Sequence, residues 1–291
     1  MIYTNEKIMF EIIENSEDML GECPIWCPRT HRLFWTDILG NELLAYAPGT
    51  GARGRWPLPE RLASFAFTAR QDVLLLGLAS RLAFFDLATG VLTEIGASPG
   101  NPNTRIGDGR CDREGNFVFG TMHEGESQER VGAFYRLNAQ TMTIEYLALP
   151  GVVIANSVCF SPDGTTMYYC DSLQPHIFCC EYPSLEHQRV FADVLGGGAP
   201  DGSCVDADGF LWNAEWGGSR VVRYSPDGRV DRVIASPAIQ STCPAIGGHS
   251  GDILFCTSAR VGLSTPTDAD GALLAVSVTG ANGMHETCFA G

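Results

Sequence analysis

A turn followed by a short apolar strand recurs six times along this 291-residue chain, at a spacing that few architectures accommodate. The copies read CPRTHRLFWTDI, TARQDVLLLGLA, CDREGNFVFGTM, SPDGTTMYYCDS, VDADGFLWNAEW and GHSGDILFCTSA. Taking Thr36, Gly77, Gly120, Cys170, Ala214 and Thr257 as equivalent points gives intervals of 41, 43, 50, 44 and 43 residues, about one propeller blade each. Further strand-like pairs such as NELLAYAPGTG and RLAFFDLATGVL follow most copies, where the outer hairpin of a blade belongs. The 33 glycines and the charged fraction of only 18% suit short strands and tight turns better than long helices. The prediction is an all-β, six-bladed β-propeller, a single domain over residues 1–291 with a central channel lined by the innermost strand of each blade. Turn signals alone would also suit a β-sandwich or two smaller all-β domains; the regular blade-length spacing favours the propeller. GALLAVSVTGANGMHETCFAG has room for two strands and MFEIIE for another, so the two chain ends are expected to share the last blade and protect its edges.

Counting back from the equivalent points exposes a second regularity. Glu22 lies 14 residues before Thr36, Asn156 lies 14 before Cys170, and Asp201 lies 13 before Ala214. In a propeller that place is the start of the inner strand, so three oxygen-bearing side chains from three blades would meet at one mouth of the channel. Together they make a hard oxygen site for one divalent cation such as Ca²⁺, Mg²⁺ or Mn²⁺, with Zn²⁺ and Fe²⁺ also open. Read singly, Asp201 in PDG suits a turn as well as a ligand, and Asn156 suits a backbone cap. Glu22 is a poor turn former, and its matching position shifts the reading of all three.

With these motifs in order, LGECPIW with LFWTDI, RIGDGRCDREGNFVFGTMHE, IANSVCFSPDGTTMYYCDS and PDGSCVDADGFLWNAEWGGSRVVRYSPDG, the chain resembles the regucalcin, gluconolactonase and senescence-marker family of six-bladed propeller lactonases. The resemblance implies metal ligands at Glu22, Asn156 and Asp201, the trio reached by counting, and substrate contacts at Arg105 and Glu124. His123, inside GTMHE, is a further candidate substrate contact. The chain departs from the family at Gly107, where Asn is usual, and at Ser157, where Gly is usual. The implied reaction is metal-dependent hydrolysis of an aldonolactone, such as arabinono-, xylono- or gluconolactone, to the open acid. In the expected mechanism the cation acts as Lewis acid and Asp201 is the candidate general base, with metal-bound water acting directly as nucleophile the open variant. The loop HEGESQER is expected to shape sugar choice as a lid. Two alternatives share the ligand set: a non-catalytic calcium-binding propeller, and a propeller esterase acting on aryl esters or phosphotriesters.

Other chemistries find little support. There is no G-x-S-x-G elbow, and the six His residues show no H-E-x-x-H spacing. The net charge of −15 and the absence of a Lys/Arg block argue against a nucleic-acid partner and against anionic lipid. No run of about 18 apolar residues suggests a membrane span, and MIYTNEKIMFEIIENSEDML lacks the continuous apolar core of an export signal. A cytoplasmic protein is expected, with a small sugar lactone as its partner and no obligate protein partner evident. The 11 cysteines include no C-x-x-C pair and read as reduced and structural. Adjacent Cys179 and Cys180 should point to opposite faces of a strand.

Overall fold

A computed structural model describes residues 8–125 and 127–291. The first seven residues of the segment read as lacking an export signal, and Glu126 of the HEGESQER loop, lie outside the described residues. Among the described residues every named element is a strand, and no helix is long and apolar enough to cross a membrane.

The strands form six four-stranded antiparallel sheets. Five take their strands consecutively from the chain. The sixth combines Gln240–Gly247, Ile253–Ala259 and Leu273–Ser277 with Glu11–Glu14 from the amino-terminal end, so segments from both ends share a blade. Only one strand forms in the carboxy-terminal segment that has room for two. After Leu273–Ser277 the chain becomes a strap across the far end of the propeller. Ala207 N–H donates to the Asn282 carbonyl, Phe289 N–H to that of Phe67 and Ala290 N–H to that of Gly115, at 2.8, 2.7 and 3.0 Å. Those contacts carry the strap from the last blade past the fifth to the second and third, which a strand confined to one sheet could not do.

The innermost strands are Gly21–Cys27, Leu62–Phe67, Thr104–Cys111, Ala155–Phe160, Ala199–Val205 and Gln240–Gly247, and they touch one another in a closed ring. The second strand of a blade is covered on both faces by its neighbours, so it reads as a continuous apolar run. VLLLGL at Val73–Leu78 is buried throughout. The outermost strand of the first blade, ARGRWP at Ala52–Pro57, alternates between half-buried and exposed residues. Cores form between blades: Ile25, Phe34 and Leu43 of the first pack with Phe65, Leu74 and Leu76 of the second. Each such side chain contributes roughly 1.5–3 kcal/mol. The cysteines are all free and all buried except half-buried Cys288. Cys179 and Cys180 join different inter-blade clusters, as opposite faces require.

Candidate active site

Every innermost strand carries a β-bulge against its neighbour, at the same height in all six blades. A bulge adds an unpaired residue and re-aims the side chains beside it. Glu22 pairs with Thr36 and Asn156 with Cys170, directly beside their bulges, and Asp201 lies within the bulge bounded by Pro200 and Ser203. The residues after Glu22 and Asn156 take left-handed backbone, with φ of 49° at Cys23 and 59° at Ser157, a conformation that favours glycine. The equivalent hydroxyls in two other blades turn to backbone instead. Ser64 Oγ donates to the Gly107 carbonyl at 2.8 Å, and Thr242 Oγ1 to that of Gly21 at 2.5 Å. The third-blade position is Gly107, which has no side chain, so three of the six positions remain to face the channel as potential ligands.

Glu22, Asn156 and Asp201 line one cavity of ≈ 260 Å³ with Arg105, Gly107 and Asp108, under walls that include Met122, Ile154, Leu173 and Trp216. Asn156 Nδ2 donates to Asp201 Oδ1 and to Ser172 Oγ, leaving the amide oxygen as a ligand atom. Burial above all, then the charge of Asp108, pushes the Glu22 carboxyl up to about 8, against the Cys23 N–H and the Arg105 and Arg110 guanidinium groups. Burial, then Glu22 and Asp108, holds Asp201 well above the usual carboxylate range, with the Asn156 amide opposing. Asp108 is raised as well, by burial, against Arg110 and the backbone N–H groups of Val158 and Gly109. Three desolvated carboxyls resist ionising side by side without a counter-charge. With the Asn156 amide oxygen, the Glu22 and Asp201 carboxylates form a donor set that fits a divalent cation. Burial pushes the adjacent Cys23 thiol up to about 12, so it is no nucleophile at neutral pH.

Arg105 is buried in the cavity wall, its Nη1 donating to the Ile106 carbonyl at 2.8 Å. Burial first, then the Arg61 charge, lowers it to about 10, so it stays a cation at neutral pH. Glu124 sits outside the main cavity, in an adjoining hollow of ≈ 520 Å³ whose wall also includes Arg105. Arg61 holds it in a bidentate pair at 2.5 and 3.1 Å, while Arg105 Nε is 3.6 Å away. His123 is buried but does not line the cavity. Its neighbour Met122 does, and successive strand residues face opposite ways. Asp108 and Arg61 also face the site, and the repeat does not single them out. Asp108 stands in the quoted RIGDG motif, one residue after the position equivalent to the three ligands, and that offset was the available signal.

Fold and site together define a six-bladed propeller in which carboxylates and the Arg105 guanidinium converge at one mouth of the channel. The SMP-30/Gluconolactonase/LRE-like family model matches residues 20–260, and the chain belongs to that family. It is 50% identical over 264 residues to L-arabinolactonase of Azospirillum brasilense, covering 89% of this chain and 87% of that one. It is 34% identical over 291 residues to 6-deoxy-6-sulfogluconolactonase of Pseudomonas putida, covering 94% and 96%. The crystal structure of a calcium-binding protein, regucalcin, from Agrobacterium tumefaciens superimposes with a TM-score of 0.87 at 30% identity, covering 97% of both chains. The chain is a lactonase of the sugar-lactonase group.

Proposed function

We propose that this lactonase opens a pentonolactone of the L-arabinono type, using one divalent cation held by Glu22, Asn156 and Asp201. The convergence of those three side chains on a single cavity beside Arg105 supports the metal-dependent reading. The 50% identity to L-arabinolactonase supports the choice of sugar. A divalent cation at the site supplies Lewis-acid polarisation of the lactone carbonyl and the counter-charge that the carboxylates lack. Asp201 serves as the base. Its carboxylate takes a proton from water as the water oxygen bonds to the carbonyl carbon, then returns it to the ring oxygen as the ring C–O bond breaks.

Arg105 donates to oxygens of the lactone, and Glu124 accepts from a sugar hydroxyl at the rim. Met122, Ile154 and Trp216 cover the C–H faces of the ring and displace water from the cavity. The test is acid release from a panel of pentono- and hexonolactones, using metal-stripped protein with and without single divalent cations, beside Asp201→Asn. The expected result is cation-dependent opening, fastest with L-arabinono-lactone and reduced at least a hundredfold in the variant. Cation binding without turnover of any lactone would instead identify a calcium-binding propeller, and faster turnover of aryl esters or phosphotriesters a different hydrolase.

A further inference from the structure

The far end of the channel is closed by charge as well as by chain. Arg110 projects from the innermost strand of the third blade and is 3% exposed. Its Nη2 donates to the Ser203 carbonyl of the fifth blade at 3.3 Å and approaches Cys243 Sγ of the sixth at 4.0 Å, so the guanidinium crosses the channel. Ser203 Oγ lies 3.0 Å from Ser157 Oγ, which itself donates to the Asp201 carbonyl. The Arg110 charge therefore sits one hydrogen-bonded layer beneath Asn156 and Asp201.

A fixed cation in that position opposes capture of another cation above it. Its counter-charge comes from the strap: Glu286 Oε1 accepts from Arg110 Nη1 at 2.7 Å. Beside Glu286 lies a residual cavity of ≈ 10 Å³ lined by Trp26, Val205, Ile246 and Met284 among others. The pair is poorly built for stability alone. Arg110 Nε and Glu286 Oε2 are buried without partners among the described residues, whereas an ion pair optimised for strength is bidentate.

We infer that Glu286 is a positioning residue for the cation site: the strap delivers it beneath the channel to neutralise Arg110, so that the carboxylates above keep their pull on a divalent cation. This rests on the cation-binding reading proposed above. The experiment titrates Ca²⁺, and separately Mn²⁺, calorimetrically into metal-stripped full-length wild type, Glu286→Gln, Arg110→Gln and the double variant, with thermal melts to verify folding. At protein-interior dielectric, an unpaired charge at this range changes affinity by roughly tenfold. Glu286→Gln is expected to weaken binding by about that factor, Arg110→Gln to tighten it, and the double variant to return close to wild type. Unchanged affinity in Glu286→Gln, or a double variant as weak as the single one, overturns the inference while leaving cation binding intact. If Glu286→Gln does not fold, Arg110→Gln decides, because affinity that fails to rise contradicts the inference. A wild type that takes up neither cation removes the cation reading itself, and this inference with it.

Discussion

At Gly107 the cavity wall has room for a side chain. A Cβ there would come no closer than 3.5 Å to the Ala155 carbonyl, whereas one at Gly202 would fall 2.4 Å from Cys243 Sγ and one at Gly120 2.2 Å from Ala155 Cβ. Gly107→Asn is therefore expected to fold, with its melting temperature shifted by only a few degrees. By adding an amide and removing volume from the cavity, it shifts kcat/KM towards pentonolactones over hexonolactones by roughly threefold to tenfold. An unchanged ratio between the two sugars would show that position 107 does not meet substrate. Asp18 lies outside the cavity and governs stability instead. Burial raises its carboxyl from 3.8 to about 8, although Trp35 Nε1 and Ser16 Oγ donate to it at 2.7 and 2.9 Å. A folded-state pKa above the unfolded one means that the folded chain holds the extra proton. The stabilisation is thus complete below about pH 4 and is lost as pH rises through about 8. Asp18→Asn keeps an acceptor for Trp35 and should flatten the fall in melting temperature between pH 4 and 8; equal slopes for variant and wild type would contradict it. Asp18 could not be read from the sequence, because its burial depends on the long-range docking of Trp35 and Gly271. Glu22, Asn156 and Asp201 could be, because the repeat supplies their alignment.

Strand number and order were legible because each blade repeats the same turn and apolar run, so one ambiguous segment is corrected by five others. The bulges were not. Cys23 and Ser157 adopt left-handed backbone without the glycine that would advertise it, and the other innermost strands reach the same offset by different local geometry. Ser157 shows what holds such a bulge in place. Its hydroxyl donates to the Asp201 carbonyl and accepts from Asn213 Nδ2 at 3.2 Å, joining the strands that carry two proposed ligands. Ser157→Ala removes those bonds and keeps the backbone strain, at a cost of about 1–3 kcal/mol. Ser157→Gly loses the same bonds but relieves roughly 1 kcal/mol of left-handed strain. The glycine variant should therefore be the more stable of the two, the reverse of the order expected in ordinary strand. Urea unfolding with matched m values would measure this, and an alanine variant as stable as the glycine one would argue against strain at position 157.

The whole ring depends on closure, since six blades whose first and last were not joined would leave an open seam. Glu11–Glu14 completes the last blade against Leu273–Ser277, Phe10 is buried with its N–H bonded to the Ala235 carbonyl at 3.2 Å, and Glu14 forms a bidentate pair with Arg53. The signal for this clasp was MFEIIE, a short segment rich in apolar residues with room for one strand. The strap was not, because Glu286 and Phe289 find their partners in other blades. Phe289 is fully buried with its ring centroid 6.1 Å from that of Phe84, and no pattern within the tail specifies that contact. Removal of residues 1–16 is expected to expose the edge of Leu273–Ser277, an unpaired strand that recruits other chains. Such a protein should melt at least 10 °C lower and self-associate with rising concentration in light scattering. A synthetic peptide spanning residues 8–16, added in excess, should refill the edge by strand addition and restore both melting temperature and monomer. A truncated protein that stays monomeric and melts with the wild type would mean that the carboxy-terminal strap, rather than the shared blade, holds the ring closed.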